Sequence, residues 1–564
     1  MKEDFNSIAS LILNIKNDFE EHIILHDLGT NNTLTNFELY QKVTSFAAAM
    51  RHLGVKKNTS VVIMAESSIY WVIADLAISL CGAVSVPIYV DSSDENMQYQ
   101  ILDSNSEFAI VYSKVLRRVE GLENIKLKKI ILDEQMEHDP VVMCSTAIFN
   151  LGEMLLKKNP SIVNDMLEEI NENDLYTIVY TSGSTAKPKG VELTHANMLN
   201  QFRATRKIYK LEPASDEALS FLPMAHIFER MVVLFYLRSG IKVNFVDEIT
   251  NVSKYLKEIE PTVMTAVPRV LEKIYSKIRT NANESSLIKR TIANKALNEA
   301  IEDENFDMAS TKHRLYNSLV YSKVRKIFGS KLHYLIVGGA PLDITLHRFF
   351  LNIGLPLYQG YGMTECSPVI SANAPGQNKV GTCGKVLDGV DVQIARDGEI
   401  LIKSKSVMRT YHKLESFTKK IIDKNGWLHT GDLGEIDSDG YLIVKSRKKE
   451  LFKTSTGEYV RAVYIEQQLS HHESIEQVLV IADGKKFASA LIFINTKGTY
   501  STIEKFIEKV NSKLNKFESI KKYKLIKEIP TIEKGLLTPS QKLRRDEVIK
   551  YFKKEVDSMY KDMS

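Results

Sequence analysis

The densest group of chemically capable side chains lies in residues 180–190, where hydroxyls, glycines and two lysines share one turn. This segment follows an apolar run, 176–180, and precedes residues 194–197, which are typical of the start of a helix. A glycine-containing loop lets backbone N–H groups approach a phosphate, while hydroxyl and ammonium groups add polar and charged contacts. The sequence therefore predicts a phosphate-binding loop. Its candidate ligands are Thr181, Ser182, Gly183, Ser184, Thr185 and Lys189.

The spacing of Gly183 and Gly190 does not give the G-x-x-x-x-G-K-[ST] pattern of NTPase phosphate loops, which argues against a kinase-like or NTPase-like site. Residues 180–190 instead closely resemble the signature loop of the AMP-forming adenylating superfamily. This superfamily includes acyl-CoA synthetases, the adenylation domains of peptide synthetases, and luciferases. Ala186 stands where most members have glycine, but both lysines are kept. The resemblance runs over about residues 24–560 and rests on five motifs in the family's order.

The resemblance implies that two further segments surround the adenine and the α-phosphate. Residues 338–342 resemble the turn beside the adenine, and residues 358–365 resemble the adenine and α-phosphate motif. Tyr361 can stack on a purine, and Thr364 can donate to the α-phosphate. Glu365 suits Mg²⁺, a hard cation that shares its coordination shell with phosphates and water. The implied nucleotide ligands are Gly339, Ala340, Pro341, Gln359, Gly360, Tyr361 and Gly362, with Thr364 and Glu365 as catalytic residues and Glu365 as the metal ligand.

Residues 427–434 resemble the motif whose aspartate accepts hydrogen bonds from both ribose hydroxyls. The corresponding residue is Asp432, and one carboxylate provides the two acceptors that this requires. Arg447 follows at the family's spacing and is expected to bind the ribose or a phosphate, although Ser446 precedes it where many members have glycine or aspartate. Lys449, two positions later, corresponds to the hinge about which the family's small C-terminal domain rotates.

Residues 537–545 match the form that the last motif takes in long-chain acyl-CoA synthetases, which makes Lys542 the counterpart of the family's catalytic lysine. A carboxylate and a triphosphate are both anions, and a lysine between them offsets their repulsion most strongly where water is scarce. The thiol would approach along residues 454–460, where Gly457 is kept but Thr456 replaces the first of the usual two glycines. A pantetheine arm needs close backbone approach, so we expect Gly457 to contact CoA.

Residues 221–230, which include the candidate catalytic residue His226, resemble the acyl-site segment of long-chain synthetases. Residues 267–275 and the helical insertion that follows them resemble the same group. The apolar run 231–237 fits two interpretations equally well. It is either the wall of a tunnel for an alkyl chain, at ~0.8 kcal/mol for each buried CH₂ group, or an ordinary buried core helix.

These motifs together imply an ATP-dependent, AMP-forming ligase that acts on a long-chain fatty acid. The acid would attack ATP to give acyl-AMP and pyrophosphate, and CoA would then take the acyl group and release AMP. The expected cofactor is Mg²⁺, with ATP and CoA as co-substrates. Two other activities on the same fold are a ligase that delivers to an acyl carrier protein and, more remotely, a luciferase-like oxygenase. A non-catalytic lipid-binding protein is disfavoured because Lys542, Glu365 and Asp432 are all present.

Hydrophobic patterning predicts the elements that must position these residues. Strand-like runs such as 60–64, 108–111 and 129–132 alternate with helical patterns such as 36–53, which indicates βαβ units and a largely parallel sheet. The glycine-rich segments follow strand-like runs, and open α/β sheets bind ligands at the carboxyl ends of their strands. We therefore expect an α/β fold with a large N-terminal domain of doubly wound sheets.

Short strands separated by turns, from about 380 to 445, predict a small antiparallel sheet or β-barrel-like subdomain. A small α+β domain is expected to follow it. The charged run 445–450 interrupts the apolar pattern, so we expect an adenylating domain at 1–447 and a mobile C-terminal domain at 448–564.

The composition is that of an ordinary globular protein large enough for more than one domain, with 564 residues of which 44% are hydrophobic. A net charge of +4 permits an anionic ligand or an anionic membrane surface, and it gives no reason to expect nucleic acid as a partner. The four cysteines show no CxxC spacing, and the N-terminus lacks the features of a secretory signal. A reduced, cytoplasmic protein is therefore expected.

Two regions raise the question of a membrane. Residues 71–90 are long and apolar enough for a span, but Asp75, Gly82 and Pro87 interrupt them. A buried helix, a turn, and a strand at 83–86 are favoured instead. The basic helical region 269–330 has two open interpretations, a solvated face or a surface for peripheral association with the inner face of an anionic membrane.

Overall fold

The computed structural model describes residues 6–13, 21–131, 142–181, 187–213, 215–304, 309–448, 451–455, 457–472, 474–495, 500–538 and 542–560. The strands are β1 (Ile23–Asp27), β2 (Asn32–Thr35), β3 (Ser60–Met64), β4 (Val84–Pro87), β5 (Phe108–Val111), β6 (Lys128–Ile131), β7 (Val142–Cys144), β8 (Leu175–Thr181), β9 (Lys189–Thr194), β10 (Glu217–Ser220), β11 (Lys242–Phe245), β12 (Val263–Ala266), β13 (Tyr334–Val337), β14 (Leu357–Gly362), β15 (Val369–Ala372), β16 (Lys385–Val386), β17 (Val390–Ile394), β18 (Glu399–Ser404), β19 (Thr410–Tyr411), β20 (Leu428–Ile436), β21 (Leu442–Arg447), β22 (Leu451–Lys453), β23 (Tyr459–Arg461), β24 (Ile475–Ile481), β25 (Ser489–Ile494) and β26 (Lys522–Ile526).

The α-helices span Asn36–His52, Ile69–Leu80, Asp94–Asp103, Ser113–Glu120, Ser145–Lys158, Ile162–Glu168, His195–Ile208, Ile227–Arg238, Val252–Ile259, Pro268–Asn283, Leu287–Glu302, Thr311–Tyr316, Ser322–Arg325, Ile344–Asn352, Glu415–Ile421, Ala462–Leu469, Tyr500–Asn511, Arg545–Tyr551 and Lys553–Tyr560. Short 3₁₀ turns lie at Ile249–Asn251, Lys326–Phe328 and Thr364–Cys366, and a π-helical turn lies at Asn317–Tyr321.

Two large, mostly parallel sheets form the N-terminal part of the fold. One has eight strands in the order β19-β9-β8-β4-β3-β5-β6-β7, and the run from β8 to β7 is parallel. The other has nine strands in the order β16-β15-β14-β13-β12-β10-β11-β1-β2, and the run from β14 to β1 is parallel. The predicted α/β fold class with doubly wound sheets is confirmed.

The main hydrophobic core joins residues of both large sheets with the helices packed on them. It includes Val61 from β3, Leu219 from β10, Phe46 from helix Asn36–His52, and Leu234 from helix Ile227–Arg238. Strands covered on both faces read as continuous apolar runs, which is why the β3 and β5 sequences show little alternation.

The apolar stretch 71–90 forms helix Ile69–Leu80 and strand β4, which confirms the predicted helix, turn and strand. Asp75 lies fully buried in this helix and forms an ion pair with Arg230, which is also fully buried. Arg230 Nε donates to Asp75 Oδ2 over 2.9 Å, Tyr176 Oη donates to the same oxygen over 2.7 Å, and Arg230 Nη1 donates to Thr177 Oγ1 over 2.7 Å. Among the described residues, no helix is long and apolar enough to cross a membrane.

The region between the large sheets and the C-terminal part contains a four-stranded antiparallel sheet. Its order is β17-β18-β20-β21, and it spans Val390 to Arg447. Short turns join β17 to β18 and β20 to β21, as the turn signals in the sequence predicted, whereas β19 and helix Glu415–Ile421 lie between β18 and β20. The sheet carries Asp432 on β20 and Arg447 at the end of β21, and these two residues are directly opposite in register.

The C-terminal part has an α+β composition, with a β22-β23 hairpin and a three-stranded sheet in the order β24-β25-β26. Two hydrophobic clusters on this sheet are separate from the main core; one contains Val478 and Ile507, and the other contains Leu479 and Phe552. The boundary between 447 and 448 stays a prediction, because Lys449 and Glu450 lie outside the described residues.

The basic region 269–330 forms helices packed beside the nine-stranded sheet. Leu287 and Ile288 are exposed on this surface, at 70% and 75%, next to the exposed Lys289 and Arg290. Both the solvated-face and the membrane-surface interpretations remain predictions.

Candidate active site

The predicted motifs meet at one large cavity, of about 2020 Å³, between the N-terminal sheets and the C-terminal part. The predicted site residues that line it are Thr181, Lys189, His226, Gly339, Ala340, Pro341, Gln359, Gly360, Tyr361, Gly362, Thr364, Glu365, Asp432, Arg447 and Lys542. Ser182, Gly183, Ser184, Thr185 and the hinge residue Lys449 lie outside the described residues. Gly457 is described but does not line the cavity.

Strands β8 and β9 position the two ends of the phosphate-loop segment. They pair antiparallel, with Thr181 opposite Lys189 in register. Thr194, at the end of β9, caps the following helix: its hydroxyl accepts from the backbone N–H of Asn197, and Asn197 Oδ1 accepts from the backbone N–H of Thr194. Lys189 is therefore held at the cavity wall by a strand that is fixed at both ends.

Asp432 joins two other predicted nucleotide ligands. Tyr361 Oη donates to Asp432 Oδ2 over 2.6 Å, and Arg447 Nε lies 2.8 Å from Asp432 Oδ1. Burial, together with the charge of Asp432, raises the pKa of Tyr361, so its hydroxyl stays protonated and acts as the donor. A carboxylate has about four lone-pair positions, so Asp432 can keep both partners and still accept from ribose hydroxyls.

Glu365 is the carboxylate that the sequence predicts for Mg²⁺, and it lies in the 3₁₀ turn after β14. Its side chain is 8% exposed, and its Oε1 accepts from Tyr411 Oη over 2.5 Å. Within the described ranges, no group of three or more His, Cys, Asp or Glu side chains could hold a metal alone. The donor set therefore fits a Mg²⁺ ion that takes one carboxylate here and completes its coordination shell with phosphate and water.

Lys542 reaches into the cavity from the C-terminal part. Its ammonium donates to the backbone carbonyl of Gly339 over 3.1 Å. The loop that carries it is closed by two hydrogen bonds between the backbone of Lys542 and Thr538. Nearby, Gln468 Nε2 donates to Asp343 Oδ2 over 2.8 Å, so the helix Ala462–Leu469 also contacts the N-terminal part. The lysine and the nucleotide motifs therefore share one site in this arrangement.

His226 lies half-buried at the cavity wall and caps helix Ile227–Arg238. Its Nδ1 accepts from the backbone N–H of Phe228 over 3.2 Å, which places the ring proton on Nε2. The surrounding protein, with the nearby Lys542 charge adding to it, lowers the pKa of His226 to about 4. The imidazole is therefore neutral at physiological pH and can donate a hydrogen bond without adding positive charge.

The apolar run 231–237 has residues that line the cavity and residues that do not. Met231, Val232 and Phe235 line the cavity, whereas Val233 and Leu234 do not and belong to the core. The cavity lining also includes Thr205, Ile208, Tyr209, Val369 and Ala372. This apolar lobe adjoins the polar part of the cavity and has the character of an alkyl-binding site.

Gly457 lies in the hairpin between β22 and β23, at φ +91°, with no atom within 4 Å of the place where a Cβ would be. The structure therefore does not bring it to the other site residues. Sequence reasoning placed Gly457 on the thiol path only after rotation of the C-terminal domain, and that placement stays a prediction.

Tyr411 and Phe417 are cavity residues that the sequence did not indicate. They belong to none of the five motifs, and they reach the site because β19 pairs with β9 over Thr410–Glu192 and Tyr411–Val191. A pairing between strands more than 200 residues apart leaves no local signal that sequence patterning can detect.

Several known proteins are similar to this chain over most of its length. The chain matches the AMP-binding enzyme family over residues 15–412 and the AMP-binding enzyme C-terminal domain over residues 450–564. It is 30% identical to the long-chain-fatty-acid–CoA ligase FadD15 of Mycobacterium bovis, over 99% of this chain and 97% of that protein. It is 29% identical to the long-chain-fatty-acid–[acyl-carrier-protein] ligase AEE15, chloroplastic, of Arabidopsis thaliana, over 93% of this chain and 82% of that protein.

Among solved structures, the O-succinylbenzoate coenzyme A synthetase of Bacillus subtilis, in complex with ATP and magnesium ion, has the same fold. Its TM-score is 0.69 at 21% identity, and the match covers 95% of this chain and 98% of that chain. The family match covers more than half of the chain, and the motifs that it contains line a single cavity. The chain therefore belongs to the AMP-binding enzyme family.

Proposed function

We propose that this protein activates a long-chain fatty acid with ATP and then transfers the acyl group to CoA. The observation that carries the proposal is the single cavity in which the Lys542 ammonium, the Glu365 carboxylate and an apolar lobe occur together. The near full-length similarity to the long-chain-fatty-acid–CoA ligase FadD15 supports the choice of acid and of thiol.

In the first half-reaction, a fatty-acid carboxylate oxygen bonds to the α-phosphorus of ATP, and the bond from that phosphorus to pyrophosphate breaks. Lys542 offsets the repulsion between the two anions, and the neutral His226 donates from Nε2 toward the acid. Asp432, Tyr361 and Arg447 hold the nucleoside. A Mg²⁺ ion bound at Glu365 would neutralise part of the charge on the phosphates.

In the second half-reaction, the CoA thiol attacks the carbonyl carbon of acyl-AMP, and AMP leaves. The Lys542 ammonium occupies the cavity in the present arrangement. The C-terminal domain therefore has to rotate, about Lys449, to remove this lysine and bring Gly457 to the thiol path.

A ligase that delivers to an acyl carrier protein is the second candidate, because the chain is also similar to a plant ligase of that kind. Both activities use the same first half-reaction, so the adenylation residues do not separate them. The acceptor has to be identified by experiment.

The test measures AMP release with saturated acids from acetate to arachidate, each with CoA, with holo acyl carrier protein, and with neither. We expect the highest kcat/KM with long-chain acids and CoA. A strict requirement for the carrier protein would show that the acceptor is the carrier protein and not CoA. A preference for acetate would refute the long-chain assignment. Light emission with ATP and a luminogenic acid, in the absence of any thiol acceptor, would point to a luciferase-like oxygenase.

A further inference from the structure

An aromatic pair, Tyr411 and Phe417, contacts two site residues that come from different motifs. The pair is anchored firmly: Tyr411 N donates to Thr418 Oγ1 over 2.9 Å, and the two ring centroids lie 5.4 Å apart. The adjacent Arg409 forms an ion pair with Glu192 of β9 at 2.6 Å. The rings are thus fixed to the strand that begins at Lys189.

Tyr411 contacts the predicted metal ligand. Its hydroxyl lies 2.5 Å from Glu365 Oε1 and is the donor, because an ionised carboxylate can only accept. This charge-assisted hydrogen bond fixes one carboxylate oxygen and so limits rotation of the carboxylate group.

Phe417 contacts the lysine of the phosphate-loop segment. The Lys189 ammonium lies 3.8 Å from the Phe417 ring centroid and 5.7 Å from that of Tyr411. An aromatic face attracts an ammonium group without neutralising its charge. A carboxylate in the same place would compete with phosphate for the lysine, whereas an aromatic ring carries no negative charge that would compete.

We propose that Tyr411 and Phe417 are positioning residues for MgATP: Tyr411 orients Glu365, and Phe417 holds the Lys189 ammonium where the triphosphate binds. This inference rests on the proposed function. Neither residue touches the reacting atoms. Each acts through a polar group that the sequence assigns to the metal or to the phosphates.

The test uses Tyr411→Phe, which removes only the hydroxyl, and Phe417→Leu, which keeps an apolar side chain but removes the aromatic face. Tyr411→Phe should raise the Mg²⁺ concentration for half-maximal ATP–pyrophosphate exchange by about 10-fold, because losing a hydrogen bond to a charged group changes an equilibrium constant by about this factor. Phe417→Leu should raise the KM for ATP by about 10-fold with little change in kcat. Phe417→Tyr should rescue the KM.

A structural role alone would affect both half-reactions, so thioester formation from presynthesised acyl-AMP is measured in the same proteins and should stay at the wild-type rate. Tyr523→Phe is the matched control. Tyr523 does not line the cavity, and its hydroxyl donates a hydrogen bond of 3.3 Å to Glu504 Oε1. Wild-type dependence on Mg²⁺ and on ATP in both variants would overturn the inference, as would equal loss of both half-reactions. Calorimetric titration of each variant with MgATP separates this inference from the proposed function, because it needs no turnover.

Discussion

The Lys542 ammonium donates a hydrogen bond to the backbone carbonyl of Gly339, across 3.1 Å, and so joins the C-terminal part to the turn predicted to lie beside the adenine. The hydrogen bond from Gln468 to Asp343 supports the same arrangement. Gly457 does not line the cavity in this arrangement. The predicted role of Lys542 in adenylation requires such an arrangement, and the predictions below separate the two half-reactions.

Lys542→Ala should abolish acyl-AMP formation and leave the reaction of presynthesised acyl-AMP with CoA intact. The loss of one preorganised charge should slow the first half-reaction on the order of 10²-fold or more. Rapid-quench measurement of each half-reaction checks this. Lys527→Ala, at an exposed lysine of the same region, is the control and should keep both rates. Equal loss of both half-reactions in Lys542→Ala would contradict the assignment.

Glu365→Gln should weaken the Mg²⁺ dependence of the first half-reaction with little effect on fatty-acid binding. An amide oxygen is a poorer ligand for a hard cation than a carboxylate, although it can still accept from Tyr411 Oη. A Mg²⁺ titration of ATP–pyrophosphate exchange measures the effect. An unchanged titration curve would remove Glu365 from the metal site.

Lys449→Pro should retain adenylation and lose thioester formation. Arg447 and Lys448 precede the predicted hinge and form ion pairs with the N-terminal part: Arg447 Nε lies 2.8 Å from Asp432 Oδ1, and Lys448 Nζ lies 2.6 Å from Asp397 Oδ2. Rotation must then begin after Lys448, and a proline fixes φ at 449.

Lys449→Ala is the control for this variant and should support both half-reactions, since alanine leaves φ free. If Lys449→Pro melts normally and still runs both half-reactions at wild-type rates, no rotation at this residue is needed.

The contribution of His195 and His347 to the free energy of unfolding should fall as the pH drops from 6.5 to 4. Burial lowers the pKa of His195 and of His347 to about 4, whereas the unfolded chain has histidine pKa values near 6.5. The unfolded state therefore binds protons first, and acid lowers stability by up to ~1.4 kcal/mol per pH unit for each histidine. Urea unfolding at several pH values measures the slope.

His195→Asn should make this slope shallower by about one proton, because its amide oxygen can still accept from the Ile8 N–H but does not titrate. The exposed His52→Asn should leave the slope unchanged. The same slope in His195→Asn and wild type would show that His195 does not stay neutral in the folded protein.

Val232→Trp should shift the acid preference toward shorter chains. Val232 is 4% exposed and lines the apolar lobe, so a larger side chain takes space from the alkyl chain, which loses ~0.8 kcal/mol for each CH₂ group that is no longer buried. The kcat/KM profile across acids measures this shift. Val233→Ala, one residue further on and facing the core, should leave the shape of the profile unchanged. An unaltered profile in Val232→Trp would exclude this lobe as the acyl site.

The hydrophobic pattern of the sequence predicted strands and helices well where residues close in the sequence determine them. The strands at 60–64 and 108–111 were predicted at their observed bounds, the strand predicted at 129–132 lies one residue earlier, and the helix from 36 was predicted one residue longer than it is. The glycine turn after β13 lies at the cavity, as expected for the carboxyl end of a parallel strand.

Contacts between distant segments could not be predicted in the same way. Asp75 was recognised as a charge in an apolar stretch, but Arg230, its partner, lies 155 residues later. The Glu365–Tyr411 hydrogen bond and the Lys189–Phe417 contact likewise depend on how β19 meets β9. The run 231–237 was ambiguous because periodicity reports burial and does not distinguish a cavity wall from a core.

The buried Asp75–Arg230 pair has a consequence for how enzymes of this architecture can diverge. At 100° per residue, Arg230 points away from the helix face that carries Met231, Val232 and Phe235. The ion pair therefore anchors helix Ile227–Arg238 through the face opposite the cavity, and loss of one ionic partner would cost ~3–5 kcal/mol. The cavity-facing residues of this helix can be substituted one at a time while the ion pair keeps the helix in place. Natural variation or directed evolution can therefore adapt the apolar lobe to new acids without changing the rest of the fold.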